Sequence, residues 1–326
     1  MSEFRARPTA IVAAVIGLFI ATAVIGYFNF GEVLAAIRPI GPGGFLAVIV
    51  AQICLFAPLG LAWWLVAPKG AGPAPVFIWG RLMREAASDV LPFSQLGGVV
   101  IATRAAILGG VATADAIGSC IVDITAEMVG QMIYTLFGVA LLVRQLGLAA
   151  RYDRLLFPLL GGLVLAGIMV GGFIVTQRRG LSLIEPRIQR FFPSAAQHAA
   201  AVAKVVEAAY GEPLRLWASL GLHIASWFGA ALGTWLILRF IDHPLPYLSV
   251  VAIESLLFAI RNAAFVVPSG LGVQEGAYAL LGPLFGLPAD AALALSLIKR
   301  ARDIAIGVPM LLGWQFVEGR RPMREA

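Results

Sequence analysis

Residues 267–276 read Val267-Pro268-Ser269-Gly270-Leu271-Gly272-Val273-Gln274-Glu275-Gly276, inside an apolar run that belongs in a bilayer. Pro268 removes a backbone donor and ends a helix. Gly270 and Gly272 let the backbone take conformations that other residues resist. Glu275 follows at once, and a carboxylate at membrane depth costs roughly 2.5–3.5 kcal/mol on insertion scales. Broken backbone is tolerated at that depth only where protein buries it or where it lines a wet cavity. Two readings fit. One is a Pro/Gly kink between packed helices. The other is a broken helix pair lining a substrate site. Arg261 and Asn262, just upstream, favour the second.

Composition sets the class. Of the 326 residues 60% are hydrophobic and only 13% are charged, and the mean hydropathy is +0.89. A soluble domain carries about 25% charged residues. The chain therefore reads as an all-α polytopic membrane protein, a single transmembrane domain over residues 1–326. The net charge of +6 suggests cytoplasmic loops facing anionic headgroups, with no nucleic-acid partner. Cys54 and Cys120 both sit in apolar segments and read as small core residues. His198, His223 and His243 match no metal-ligand spacing. No P-loop, Gly-x-Ser-x-Gly or His-Glu-x-x-His motif occurs. Asp123 and Glu127 are able in principle to bind Mg²⁺, but no phosphorylated-substrate site is identifiable beside them. No catalytic residue, metal or cofactor is expected.

A helix needs about 20 apolar residues to span. Candidate spans are 10–28, 45–67 with a kink at Pro58, 116–143, 155–176, 216–238, 247–267 and 289–314. The first is long for a signal-peptide core and is kept as a membrane anchor. Stretches 85–110 and 268–287 are apolar but interrupted by Pro and Gly, and each reads as a re-entrant hairpin or a broken crossing. Basic residues place the orientation. Arg5, Arg7, Lys69, Arg81, Arg84, the 177–215 loop and Arg320, Arg321 and Arg324 fall on one side. Both termini are then cytoplasmic, which needs an even number of crossings, about eight. Within the long loop, 195–210 reads as a helix, lying either at the interface or in solvent.

The interrupted stretches resemble each other. The first runs Arg84, Pro92, Gln95, Gly97, Gly98, Arg104; the second runs Arg261, Pro268, Gly270, Gly272, Glu275. Such segments in corresponding halves, here 1–176 and 216–316 joined by 177–215, point to a transporter's midplane site. Chance similarity stays open, because the chain holds 36 Gly and 19 Pro. Asp123, Glu127 and Gln131 share one helical face at i, i+4, i+8 spacing. Lys299, Arg300, Arg302 and Asp303 mark the span after the second interruption, and Glu254 lies upstream of Arg261. Charges in membranes face one another or water. Either structural ion pairs tie the helices, or a polar cavity between the halves holds a headgroup or carries protons. If the 123–127 and 299–302 faces line one cavity, each sign offsets the desolvation of the other.

Pro268-Ser269-Gly270-Leu271-Gly272-Val273-Gln274-Glu275 resembles the Pro-x-Gly-x-Gly-x-x-Glu signature of the lysylphosphatidylglycerol-synthase transmembrane region, a flippase-like membrane family. Lys299-Arg300-Ala301-Arg302-Asp303, Gly307-Val308-Pro309 and Trp314-Gln315 resemble its hopanoid-biosynthesis-associated, HpnL-like branch. The resemblance covers nearly the whole chain. It implies a lipid translocator of the bacterial inner membrane, with a hopanoid or phospholipid as cargo and other hopanoid-pathway membrane proteins as partners. Family enzymes that aminoacylate lipid carry a soluble catalytic domain. No counterpart of it is expected here, so enzymatic modification of a headgroup is the weaker alternative. A scaffold for hopanoid-synthesis enzymes is a third.

Overall fold

Every regular element in the computed structural model is helical among the residues it describes, which are 35, 38–91, 94–146, 153–177, 193–263 and 272–319. The α-helices are α1 (Gly41–Val66), α2 (Ala74–Val90), α3 (Ser94–Leu108), α4 (Thr113–Leu146) and α5 (Asp153–Val175). They continue with α6 (Pro193–Tyr210), α7 (Pro213–Phe240), α8 (Tyr247–Ala263), α9 (Val273–Leu281) and α10 (Ala289–Gly319). A single 3₁₀ turn, Gly282–Phe285, follows α9. Among the described residues α1, α4 and α7 are long and apolar enough to cross a membrane. Their outer faces, and that of α5, expose residues such as Leu46, Val50, Ile168 and Met169. Such a surface suits acyl chains and would aggregate in water.

The punctuation follows local chemistry. Pro42, Pro75 and Pro213 fall in first turns, where a missing N–H costs nothing. Leu91 is extended (φ −89°, ψ 146°), as a residue preceding a proline should be, and α2 stops there. Gly272 starts α9 at φ 76°, a conformation glycine takes without strain. Helix α1 runs through Pro58 without breaking.

Two helical hairpins result. A Cβ on Gly98 would meet Ser88 and the Arg84 carbonyl, and one on Gly109 would meet Val76. Residues advancing along α2 thus face residues receding along α3. In the second hairpin Tyr278 bonds Glu254, while Arg261 Nη1 lies 3.5 Å from Gln274 Oε1, so α8 and α9 are likewise antiparallel. Helices α2 and α8 have 17 residues each. At 1.5 Å per residue that is about 25 Å, short of a hydrocarbon core of about 30 Å.

Each hairpin packs on the long charged helix that follows the other. Gly307 of α10 lets that helix approach Ala86 and Val90 of α2, and Gly138 of α4 lets α8 approach at Ala252 and Ser255. One apolar core joins α4, α7, α8, α9 and α10 around Tyr134, Ile237, Leu257 and Ile298. A second joins α1, α2, α3, α4 and α6 around Trp63, Phe77, Cys120 and Val206. Trp63 and Phe77 meet edge to face at 5.3 Å, and Trp63 Nε1 donates to Ser119 Oγ at 3.0 Å.

One end of the bundle carries the polar clasps. Lys69 bonds Glu212 at 2.7 Å, Arg215 donates to the Trp64 carbonyl at 3.3 Å, and Arg104 bonds Glu318 at 2.6 Å. The Lys69 ammonium holds the Glu212 carboxyl below the usual carboxylate range.

Several expectations change. Arg81 and Arg84, which the charge pattern places with the cytoplasmic loop residues, are both buried in α2, because the helix begins at Ala74 and not at residue 85. The span expected over 247–267 is helical only to Ala263 in the described residues, and α9 then runs back along it. The expected 195–210 helix forms as α6. It does not simply lie in solvent: Val206 is buried, and Gly118 of α4 abuts Val205. The first span, most of the 177–192 loop and the tail from 320 lie outside the described residues.

Candidate functional site

The 3.6-residue period puts Arg81, Arg84 and Glu85 of α2 toward α4. Asp123 and Glu127 come from α4 on the face read from sequence. Arg81 is 2% exposed and Asp123 1%. The Arg81 guanidinium donates to both Glu127 oxygens, at 2.9 and 2.6 Å, and pairs with Glu85 at 2.7 Å. Arg84 pairs with Glu127 at 2.9 Å, and both arginines lie 3.6 Å from Asp123 Oδ2. From α7, His223 Nε2 reaches Asp123 Oδ1 at 2.9 Å. Bidentate Arg–carboxylate geometry is the strongest neutralisation available at this depth.

The second cluster exchanges the signs. Glu254 of α8 is fully buried. Its Oε2 accepts from Lys299 Nζ of α10 at 2.7 Å, and its Oε1 accepts from the Tyr278 hydroxyl of α9. Lys299 also reaches the Tyr278 oxygen at 2.7 Å and Thr234 Oγ1 of α7 at 3.3 Å. Arg81 is the eighth residue of α2 and Glu254 the eighth of α8; Asp123 is the eleventh of α4 and Lys299 the eleventh of α10. Corresponding positions thus hold opposite charges.

Between the clusters the hairpins meet near their tips. Asp89, next to the last residue of α2, lies 3.9 Å from Arg261, near the end of α8. Asn262 donates to Gln131 Oε1 at 2.6 Å. Gln274 Nε2 donates to Ser296 Oγ at 2.9 Å, and Ser296 donates to Glu275 at 3.1 Å. Arg300 lies 3.6 Å from Glu275, and Arg302 pairs with its neighbour Asp303 at 2.6 Å. A polar track therefore passes through α2, α4, α8, α9 and α10. Away from the track, at the open end of the α2–α3 hairpin, an apolar cavity of about 300 Å³ lies among Val76, Trp79, Leu108 and Trp314.

Most residues singled out from sequence converge here: Arg84, Asp123, Glu127, Gln131, Glu254, Arg261, Asn262, Glu275, Lys299, Arg300, Arg302 and Asp303. Gly98 serves the close approach of α3 to α2. Gln95 and Gly97 lie in the first turn of α3, and Gly272 caps α9. Arg104 stands apart from the track, in its ion pair with Glu318. Pro92, Pro268 and Gly270 lie outside the described residues.

The pairing differs from the sequence expectation. The α4 carboxylates are not offset by the α10 cations. They are offset by Arg81 and Arg84, while Lys299 is offset by Glu254 and Arg300 by Glu275. Arg81, Asp89, His223, Gln274 and Tyr278 were missed as site residues. His223 carried a signal, being the one ionisable side chain inside the apolar run 216–238.

No curated protein and no solved structure matches the chain. The family model for the lysylphosphatidylglycerol synthase TM region matches residues 12–313. The match covers nearly the whole chain, and the chain belongs to the lysylphosphatidylglycerol synthase TM-region family.

Proposed function

We propose that this protein moves a lipid between the leaflets of the bacterial inner membrane. The observation that carries the reading is the meeting of two short hairpins, through Asp89 and Arg261, between clusters of buried charge. A polar headgroup crossing the bilayer needs hydrogen-bonding partners that lipid tails do not supply. The track from Gln131 through Asn262, Gln274 and Glu275 to Arg300 offers them. The apolar cavity beside Trp79 and Trp314 suits a hydrocarbon part. A hopanoid, largely apolar with a polar side chain, is the proposed cargo, and other hopanoid-pathway membrane proteins are the proposed partners.

The proposed topology has six crossings and two hairpins, fewer crossings than the eight expected from sequence, because α8 is one arm of a hairpin. The crossings are 10–28, α1, α4, α5, α7 and α10. The α2–α3 hairpin then enters from the cytoplasm and the α8–α9 hairpin from the opposite side, relating the halves as an inverted repeat. The clasps of Lys69 with Glu212 and of Arg104 with Glu318 fall on the cytoplasmic end, where lysine and arginine concentrate. In a chain lacking Cys54 and Cys120, cysteines at Glu212 and Glu318 should label only from the cytoplasm, and one at Asp242 only from outside. Labelling of Glu212 from outside would overturn this orientation.

Transport is tested in liposomes holding a labelled hopanoid in one leaflet. Purified protein should equilibrate the label without altering its mass. A change in mass identifies an enzyme instead, and neither change rejects the reading. Glu275→Gln should slow equilibration at least about tenfold, equivalent to about 1.4 kcal/mol, while leaving yield and thermal stability near normal. Its carboxylate is only partly buried and stands 3.6 Å from Arg300, a looser and wetter pair than Glu254 with Lys299, so removing the charge alters the polar track more than the fold.

A further inference from the structure

The charge cluster of α2, α4 and α7 does not balance. Arg81 and Arg84 contribute two positive charges; Glu85, Asp123 and Glu127 contribute three negative ones. With His223 neutral the group carries one net negative charge. With His223 as imidazolium it is neutral. Net charge at membrane depth is costly, and histidine changes charge between pH 5 and 8.

The geometry gives the proton a place to go. Asp123 lies against two guanidinium groups as a carboxylate, which only accepts hydrogen bonds. Nε2 of His223 therefore carries the hydrogen of their 2.9 Å bond. That leaves the Nδ1 lone pair bare. Nδ1 is buried and has no hydrogen-bond partner among the described residues. The same is true of Ser219 Oγ, one turn earlier on α7. Both atoms belong to fully buried side chains, and a buried polar atom without a partner is costly. A proton on Nδ1 converts the bare acceptor into a donor and cancels the cluster's charge.

The other charged groups around α7 leave His223 this role. Arg215 and Arg239 sit near its two ends. Helix α1 carries no Asp, Glu, Lys, Arg or His, and its thiol, Cys54, is exposed. Lys204 and Glu207 belong to α6, which packs on the early part of α4. Asp115 and Arg144 lie near the two ends of α4. Glu254 and Lys299 neutralise each other, and none of their polar atoms lacks a partner.

We propose that His223 is a proton-binding site, and that its protonation is coupled to lipid movement; the coupling rests on the transport reading above. The chain has three histidines. Replacing His198 and His243 by Gln leaves His223 as the sole source of a ¹⁵N-histidine signal in the liposome-embedded protein. Between pH 8 and 5 the Nδ1 resonance should move from the bare to the protonated position. A spectrum that keeps bare Nδ1 across the range overturns the site, whatever transport assays show. In the same chain, Asp123→Asn should shift the transition to lower pH, because the carboxylate facing the imidazolium is gone; no shift overturns the charge argument. Coupling is read separately. An imposed proton gradient should drive asymmetric accumulation of labelled lipid in one leaflet, and His223→Gln should lose that asymmetry while still equilibrating lipid slowly. Symmetric equilibration by the unaltered protein under the gradient overturns coupling. Absence of all lipid movement defeats the transport reading, and the coupling with it, while leaving the resonance result to stand on its own.

Discussion

Arg81→Ala should yield little or no folded protein. The side chain is almost fully buried and contacts Glu85, Glu127 and Asp123 from three positions. Its removal leaves carboxylates stacked against one another with only Arg84 between them. Breaking a buried ion pair from one side costs about 3–5 kcal/mol. That is a large share of a typical folding free energy of about 5–15 kcal/mol. Arg81→Lys should fall between, since one ammonium does not reproduce the fork that spans both Glu127 oxygens. Lys69→Ala is the internal control: it breaks a pair of similar length, but an exposed one. Exposed pairs are screened by water and contribute little. Monodispersity and thermal unfolding in detergent order the three variants. An Arg81→Ala protein as stable as Lys69→Ala would show that the cluster is hydrated and contributes little to folding.

The Glu254–Lys299 pair should behave as a unit. Lys299→Met strands a fully buried carboxylate that, among the described residues, keeps the Tyr278 hydroxyl. Glu254→Gln strands a buried ammonium that keeps Tyr278 and Thr234. Each single change should lower stability by about 3–5 kcal/mol, and the double change should lower it by far less than the sum, because no orphan charge remains. A double-mutant cycle on thermal stability reads the coupling directly. Additive losses would contradict the direct contact. The double variant should also lose lipid movement, if the pair shapes the cavity. Recovery of both stability and movement would make the pair a structural tie alone.

Composition and the lengths of apolar runs identify a helical membrane protein, because the bilayer imposes one length and one way of satisfying the backbone. The i, i+4, i+8 spacing places Asp123, Glu127 and Gln131 on one face without any structure. The extended Leu91 at the end of α2 is likewise local, since the proline that follows it in sequence disfavours helix there. Arg81 defeats the same logic. An arginine soon after an apolar span is ordinarily a loop charge, and nothing local distinguishes it from Lys69, which is exposed.

By itself the sequence determined the class of the protein and the residues with enough charge to matter. Those properties are set by solvent and by local backbone geometry, which act on a few neighbouring residues at a time. Only the tertiary structure decided which charges meet. Asp123 and Arg81 lie on α4 and α2, Glu254 and Lys299 on α8 and α10, and His223 reaches Asp123 across 100 residues of chain. A buried charge needs a counter-charge within a few ångströms, but several candidates of suitable sign exist. The choice among them falls to helix packing, through close approaches at Gly98, Gly138 and Gly307 that only the assembled bundle reveals.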